Sequence, residues 1–219
     1  MNGARTERVD PASATADGYA FELDGGNLAL DFANTVSRRK LAGGGRDNID
    51  RYGRLVSWAR QSGIVSEHDA QRLRSRAGEH PRAAIAALRR GVVLREAIFS
   101  IFSSVAAGRR APAEALEILN AALPAALGAL RLVQDRQGFL LRFASDDEAL
   151  DGVLAPVVRA ASDLLVSDER ERIRECGSDT CAWLFLDRSK NGTRRWCDMK
   201  VCGNRAKARR HYEKGKRSL

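Results

Sequence analysis

Four cysteines are the residues whose type and spacing could do chemistry. Cys176, Cys181, Cys197 and Cys202 are the only ones in the 219-residue chain. Each pair encloses four residues, Gly-Ser-Asp-Thr in the first and Asp-Met-Lys-Val in the second, and fifteen residues separate the pairs. Two short thiolate pairs joined by a hairpin-sized spacer match the way a chain wraps one tetrahedral zinc ion. Four sulfur ligands leave no open position for water, so the expected zinc is structural rather than catalytic. Disulfides or redox thiols are the alternatives, and a reducing compartment favours metal. No nucleophile–base pair, phosphate-binding loop or His–carboxylate set accompanies the cysteines, and we expect no enzyme.

The charge balance points the same way. From Arg170 to Leu219 there are 15 Lys and Arg against 6 Asp and Glu, which is the whole +9 of the chain; the first 169 residues carry 22 of each sign. A neutral domain joined to a basic, metal-stapled one suggests a polyanionic partner for the second. Arg194, Arg195 and Lys200 flank the second cysteine pair, and Arg205, Lys207, Arg209, Arg210 and Lys214 recur along the helix-forming run after it. Such a helix can neutralise several phosphates, and arginines can reach guanine edges in a major groove. The plainer alternative is a solvated helix face.

The elements that position these residues follow from periodicity. Residues 1–18 are polar and aperiodic, the expected signature of a disordered arm. Tyr19–Leu23 predicts a short strand, and Asn27–Val36 a helix with Asn27, Asp31 and Asn34 on one stripe. These three could line a polar ligand pocket, or Asn27 could cap its helix while the others bond to a neighbouring loop. Asp47 or Asp50 is expected to cap the next helix and Ser66 the one after it. Pro81 opens a long helix whose apolar set is Ile85, Leu88, Val92, Ile98, Phe99 and Phe102, with Gly91 as a weak point. Pro112 opens another helix, ending near Pro124 or Gly128. Leu130–Gln134 and Phe139–Phe143 then alternate around Asp135-Arg-Gln-Gly138 as a β-hairpin. A last helix starts at Asp146 or Asp147, with Pro156 bending it.

Between the cysteine pairs, Ala182–Leu186 alternates Trp183 and Phe185 with Leu184 and Leu186. Ser189–Gly192 makes a turn, Thr193–Trp196 returns as a second strand, and Asn204 caps a final helix. The fold class expected is mainly α (α+β), a helical N-terminal domain with a small β-hairpin followed by a treble-clef-like zinc finger. The boundaries are 19–168 for the helical domain and 169–219 for the finger, which is too small to hold itself together without metal.

Cys202-Gly-Asn-Arg205, its spacing from Cys197 and the following Ala206-Lys-Ala-Arg-Arg210 resemble the CGNR zinc finger family. The likeness extends through Cys176, Cys181, Trp183-Leu-Phe185, Asp187 and Arg194-Arg-Trp-Cys197, covering roughly residues 170–214. Gly26-Asn-Leu-Ala-Leu-Asp-Phe-Ala-Asn-Thr35 resembles the opening of the ABATE domain that usually precedes this finger. The resemblance implies a bacterial stress-induced transcription regulator, zinc on Cys176, Cys181, Cys197 and Cys202, and a finger that contacts DNA. RNA or ribosome association, and a zinc-stapled protein-interaction module, are the competing readings. The helical domain is then the candidate for sensing a small-molecule effector or for homodimerisation. No stretch approaches the roughly 20 apolar residues of a membrane span, and a cytoplasmic location is expected.

Overall fold

The computed structural model describes residues 19–144 and 149–217. The expected arm at 1–18 and the expected helix start at Asp146 or Asp147 lie outside the described residues. Seven α-helices and three two-stranded antiparallel ladders are described. In chain order they are α1 (Leu28–Ala33), β1 (Val36–Ser37), β2 (Arg46–Asp47), α2 (Tyr52–Gln61), α3 (Glu67–Glu79), α4 (Pro81–Ala106) and α5 (Ala113–Gly128). There follow β3 (Leu130–Asp135), β4 (Gly138–Phe143), α6 (Ala155–Val166), β5 (Ile173–Glu175), β6 (Leu184–Leu186) and α7 (Asn204–Arg217).

Helix α4 is the axis, touching α1, α2, α3, α5 and β5. Pro81 sits in its first turn, where the missing N–H costs nothing. Its buried face is Ala84, Ala87, Gly91, Leu94, Arg95, Ala97, Ile98, Ile101 and Phe102. The helical period is therefore as expected, but the stripe is rotated at the start and Ile85 is 52% exposed. Small residues, Ala84, Ala87 and Gly91, face inward there, and a Cβ on Gly91 would make ordinary van der Waals contact with Leu154 at 3.5 Å and Leu55 at 3.6 Å. Arg95, almost wholly buried, is held by both oxygens of Asp47 at 2.7 and 2.8 Å and by Glu96 at 2.9 Å, the pairing a buried guanidinium requires.

Several local expectations are corrected. Tyr19–Leu23 joins no ladder; the Gln61 amide bonds to the N–H and carbonyl of Phe21 instead. Neither Asp47 nor Asp50 caps α2, which follows Arg51 without a side-chain cap, because Asp47 is committed to Arg95 and to the Ile49 N–H. Pro156 lies in the first turn of α6 rather than bending it, whereas α5 runs through Pro124 and ends at Gly128, one of its two expected ends. Ser66 does cap α3, and the β3–β4 hairpin forms with Leu130 opposite Phe143.

The largest difference concerns how the cysteine segment is attached. Strand β6 pairs with β5 upstream, Ile173 opposite Leu186 and Glu175 opposite Leu184. Thr193–Trp196 forms no strand: the Asp187 carboxylate takes the N–H groups of Ser189 and Arg194, and the Arg195 carbonyl accepts from Gly177. The two sides of β6 are buried in different places. Leu184 and Leu186, with Ile173, belong to the helical core, whereas Trp183 and Phe185 pack with the four cysteines. Asn34, at the end of α1, donates to the Leu184 carbonyl and accepts its N–H, both at 2.8 Å. The Leu186 N–H reaches the Gly25 carbonyl, and the Trp183 indole reaches that of Val36.

Asn34→Ala would strand a buried donor and a buried acceptor on Leu184. Each costs about 1–3 kcal/mol, so unfolding should become easier by about 2–6 kcal/mol in a urea titration. Helix loss by circular dichroism and zinc release should shift together, because the strand that Asn34 holds is shared. Zinc release moving alone, with the helical signal unchanged, would show that the two are not coupled.

Candidate metal centre and basic helix

The first cysteine pair sits on the turn leading from β5 into β6. The Cys176 N–H donates to the Trp183 carbonyl at 2.8 Å and closes the turn, and Ala182 takes a positive φ of 70° beside Cys181. A non-glycine residue in that region is strained, and it persists only where neighbours over-determine it. Here the neighbours include the β1–β2 loop: the Arg39 N–H donates to the Cys181 carbonyl, and Lys40 reaches both the Cys176 carbonyl at 3.2 Å and Glu175 at 2.9 Å. The basic β1–β2 loop is thus a clamp on the first pair.

Of the second pair, Cys202 lies on a wide turn, Met199–Gly203, that runs directly into α7, and Cys197 stands just before it. Asp198 caps this turn through the Val201 N–H, and its carbonyl accepts from Cys202 and Gly203. Asp198, not Asn204, is therefore the cap at the head of the helical run. A Cβ on Gly203 would overlap the Met199 sulfur and stand 3.2 Å from the Trp196 ring, so the turn closes most easily around glycine.

The four sulfurs lie within 4.8 Å of one another and all four residues are buried. Cys181–Cys197 and Cys197–Cys202 are 3.7 and 3.6 Å apart. Zinc–sulfur bonds of about 2.3 Å at tetrahedral angles put sulfurs about 3.8 Å apart, whereas a disulfide requires about 2.0 Å. The donor set thus fits one structural zinc. Contacts from Cys181 and Cys197 hold the Cys176 thiol far below its usual range, and the Cys176 contact pushes Cys181 up to about 12. Cys197 and Cys202 are pushed up as well, the first mainly by its contacts with Cys176 and Cys181 and the second by burial, so the low Cys176 stands against three raised thiols.

The basic residues divide by role. Arg194 lies 4.5 Å over the Phe185 ring and donates to the carbonyls of Trp196 and Cys197, bracing the second pair from behind. Arg195 stacks beside Trp196 at 5.1 Å. Lys200, Arg205, Lys207 and Arg209 are exposed. Arg209 pairs with Asp179, and Arg205 reaches the Thr180 hydroxyl at 3.5 Å. These contacts tie α7 to the first cysteine turn across a recess of about 370 Å³ floored by Gly177 and Trp196. Arg210 and Lys214 belong to α7, but their side chains lie outside the described residues. Asp179 and Thr180 carry no signal in the sequence beyond standing between two cysteines.

The stripe Asn27, Asp31 and Asn34 stays together on α1, and each side chain is bonded to backbone: Asn27 to the Ala29 N–H, Asp31 to the Gly25 N–H at 2.7 Å, and Asn34 to Leu184. Burial pushes the Asp31 carboxyl up to about 7, against the lowering effect of the Gly25 N–H.

A family profile named ABATE, described as "Putative stress-induced transcription regulator", matches residues 26–168, and a CGNR zinc finger profile matches residues 172–215. No curated protein sequence matches the chain.

Cys197→Ser should lose the equivalent of one bound zinc by metal analysis and lower the thermal midpoint of the helical body as well, since Phe185 and Leu184 lie on one strand. A midpoint unchanged with the metal gone would contradict the shared strand. Asp31 gives a pH effect of definite sign. Its folded pKa lies above the ordinary 3.8, so the folded state binds the extra proton, and stability present below about pH 4 is lost as pH rises towards 7. Asp31→Asn should therefore gain stability over the parent at pH 8 relative to pH 5 in urea unfolding. An equal difference at both pH values would remove Asp31 as the cause.

Proposed function

This chain belongs to the ABATE family of regulators and ends in a CGNR zinc finger, and from that premise we propose that it is a DNA-binding transcription regulator. In this reading Cys176, Cys181, Cys197 and Cys202 are the ligands of the structural zinc. The segment 169–219 presents α7 to DNA, and residues 19–168 sense an effector or dimerise. The protein works in the cytoplasm. Among the described residues no helix is long and apolar enough to cross a membrane.

The observation that carries this reading is the confinement of the +9 excess to the segment holding the metal centre. The exposed Arg205, Lys207 and Arg209 stand on a helix whose first turn is fixed by the buried Cys202 and Gly203. A rigidly seated basic helix is the form in which phosphate and major-groove contacts are made. Both families are of non-enzymatic kinds, and the closed sulfur set gives the metal no site for substrate.

The test uses the full, zinc-loaded chain, because β6 shares its burial with the helical body. Binding to a random duplex DNA pool, a structured RNA and a selected-site duplex should be measured at several salt concentrations. Duplex DNA should bind best, with log affinity falling about 0.9 per phosphate neutralised for each tenfold rise in salt. Arg205→Ala and Lys207→Ala should each flatten that slope by about one contact while zinc content stays at one. Asp179→Asn, which removes a carboxylate from beside Arg209, should tighten binding. Tighter binding to RNA would replace the DNA assignment, and affinity without salt dependence would remove both.

A further inference from the structure

We propose that the outer edge of β3 is a homodimer contact, pairing with β3 of a second copy about a two-fold axis at Val133. The contact rests on the dimerising reading of residues 19–168 given above and assigns it to one strand. None of the apolar side chains of β3 and β4 belongs to the helical core, and Leu132 and Phe139 are 68% and 70% exposed. A two-stranded hairpin outside a core is marginal in water, and further strands stabilise it.

The phase of the ladder decides which backbone groups the edge offers. The Ala144 N–H donates to the Ala129 carbonyl at 2.7 Å, so these opposite residues form a hydrogen-bonded pair. Bonded and non-bonded pairs alternate along an antiparallel ladder. With Leu130 opposite Phe143 and Leu132 opposite Leu141, Arg131, Val133 and Asp135 therefore turn their N–H and C=O groups towards β4. Leu132 and Gln134 turn theirs outward. Among the described residues β3 pairs with no strand but β4, and Arg131, Leu132, Gln134 and Asp135 are all exposed. A second β3 running antiparallel about Val133 sets Leu132 opposite Gln134 of the other copy, and by symmetry the reverse. Each such pair exchanges both of its main-chain hydrogen bonds.

Charge selects this edge and this register. About Val133, Arg131 falls opposite Asp135 of the second copy at both ends of the contact, in non-bonded pairs where side chains approach most closely. Both groups keep capacity for that pairing. Arg131 uses Nη1 on the Gly128 and Leu130 carbonyls, and Asp135 uses Oδ1 on the Gln137 and Gly138 N–H groups. Moving the axis to Leu132 or Gln134 loses both ion pairs. Strand β4 carries Arg142 and no acid to answer it, and a contact of β3 with β4 would propagate rather than close. On the apolar face, Leu132 meets Leu132 of the second copy on the diagonal. The two hairpins become one sheet in the order β4–β3–β3–β4.

The experiment is sedimentation equilibrium of the full, zinc-loaded chain without DNA, over a wide range of concentration. The mass should rise from 24.0 kDa towards that of two copies. Arg131→Glu sets acid against acid, and Gln134→Pro removes an outward N–H while sparing the β4 ladder. Each should weaken the dimer by about tenfold or more, with helical circular dichroism and zinc content unchanged. Val133→Cys, facing its own mate, should join two chains by a disulfide in air, whereas Leu141→Cys on β4 should not. A monomer at every concentration would overturn the proposal and leave the β3 edge to a different occupant. So would a dimer that both edge variants leave intact, or one joined through Leu141→Cys and not through Val133→Cys. A monomer that still binds DNA removes this contact alone, and a dimer that binds none removes the role of α7 alone.

Discussion

Everything in the C-terminal part of this protein depends on one three-residue strand with both sides buried. Leu184 and Leu186 leave β6 towards the helical core, and Phe185 leaves it towards the four cysteines. Alternation of side chains is a property of any strand, but most short strands have one wet face. Here each face meets a hydrophobic cluster that the other does not touch. Burying a leucine or phenylalanine side chain contributes about 1.5–3 kcal/mol, so each cluster draws on the other's burial through a single backbone. The metal and the helical core are separate sources of stability joined by this strand.

The polar contacts around β6 are arranged to keep that strand in place. Asn34 supplies to Leu184 the donor and the acceptor that a neighbouring strand would have offered. Gly25 does the same in part for Leu186. An edge left unpaired inside a core would cost more than these side-chain bonds contribute. Arg39 and Lys40 then cross from the β1–β2 loop to the carbonyls of the first cysteine pair, and Arg39 is itself fixed by Glu96 on α4. A line of directional contacts runs from the central helix through this loop to the metal-binding turn.

How much of this could be read from the sequence depended on range. The cysteine spacing, the Ser66 cap, the Pro81 start and the β3–β4 hairpin are local, and each was legible because a few adjacent residues decide it. The Trp183/Phe185 against Leu184/Leu186 alternation was legible for the same reason. The partner of β6 was not. Asn-Gly at 191–192 favours a turn, but the Asp187 carboxylate captures the Arg194 N–H and prevents the returning segment from laddering. Asn204 looked like a cap because it precedes a helical run, while Asp198 begins the turn one stage earlier and takes the role. The clamp by Arg39 and Lys40, and the seat that Asn34 offers Leu184, join residues more than a hundred positions apart. No local pattern encodes them. Of the stripe Asn27, Asp31 and Asn34 the sequence revealed the shared face but not the backbone groups that each would meet.

The division of labour in the basic segment follows from burial. Between Asn204 and Arg209 only Ala206 is more than superficially covered, so α7 contributes little packing of its own. Its direction must come from its origin, where Cys202 and Gly203 are buried and Arg194 grips the carbonyls of Trp196 and Cys197. A side chain used in that way is unavailable to a phosphate, although it sits in the same basic cluster as Arg195 and Lys200. Net charge alone therefore overstates the surface that can meet a polyanion, and the ion pair between Arg209 and Asp179 reduces it further. Among the described residues at the head of α7, what is left is a short exposed row, Arg205 and Lys207 with Lys200 at its foot, standing on a turn that the sulfur cluster holds still. The metal acts at a distance from the charges it positions: it fixes the angle at which the helix leaves the protein.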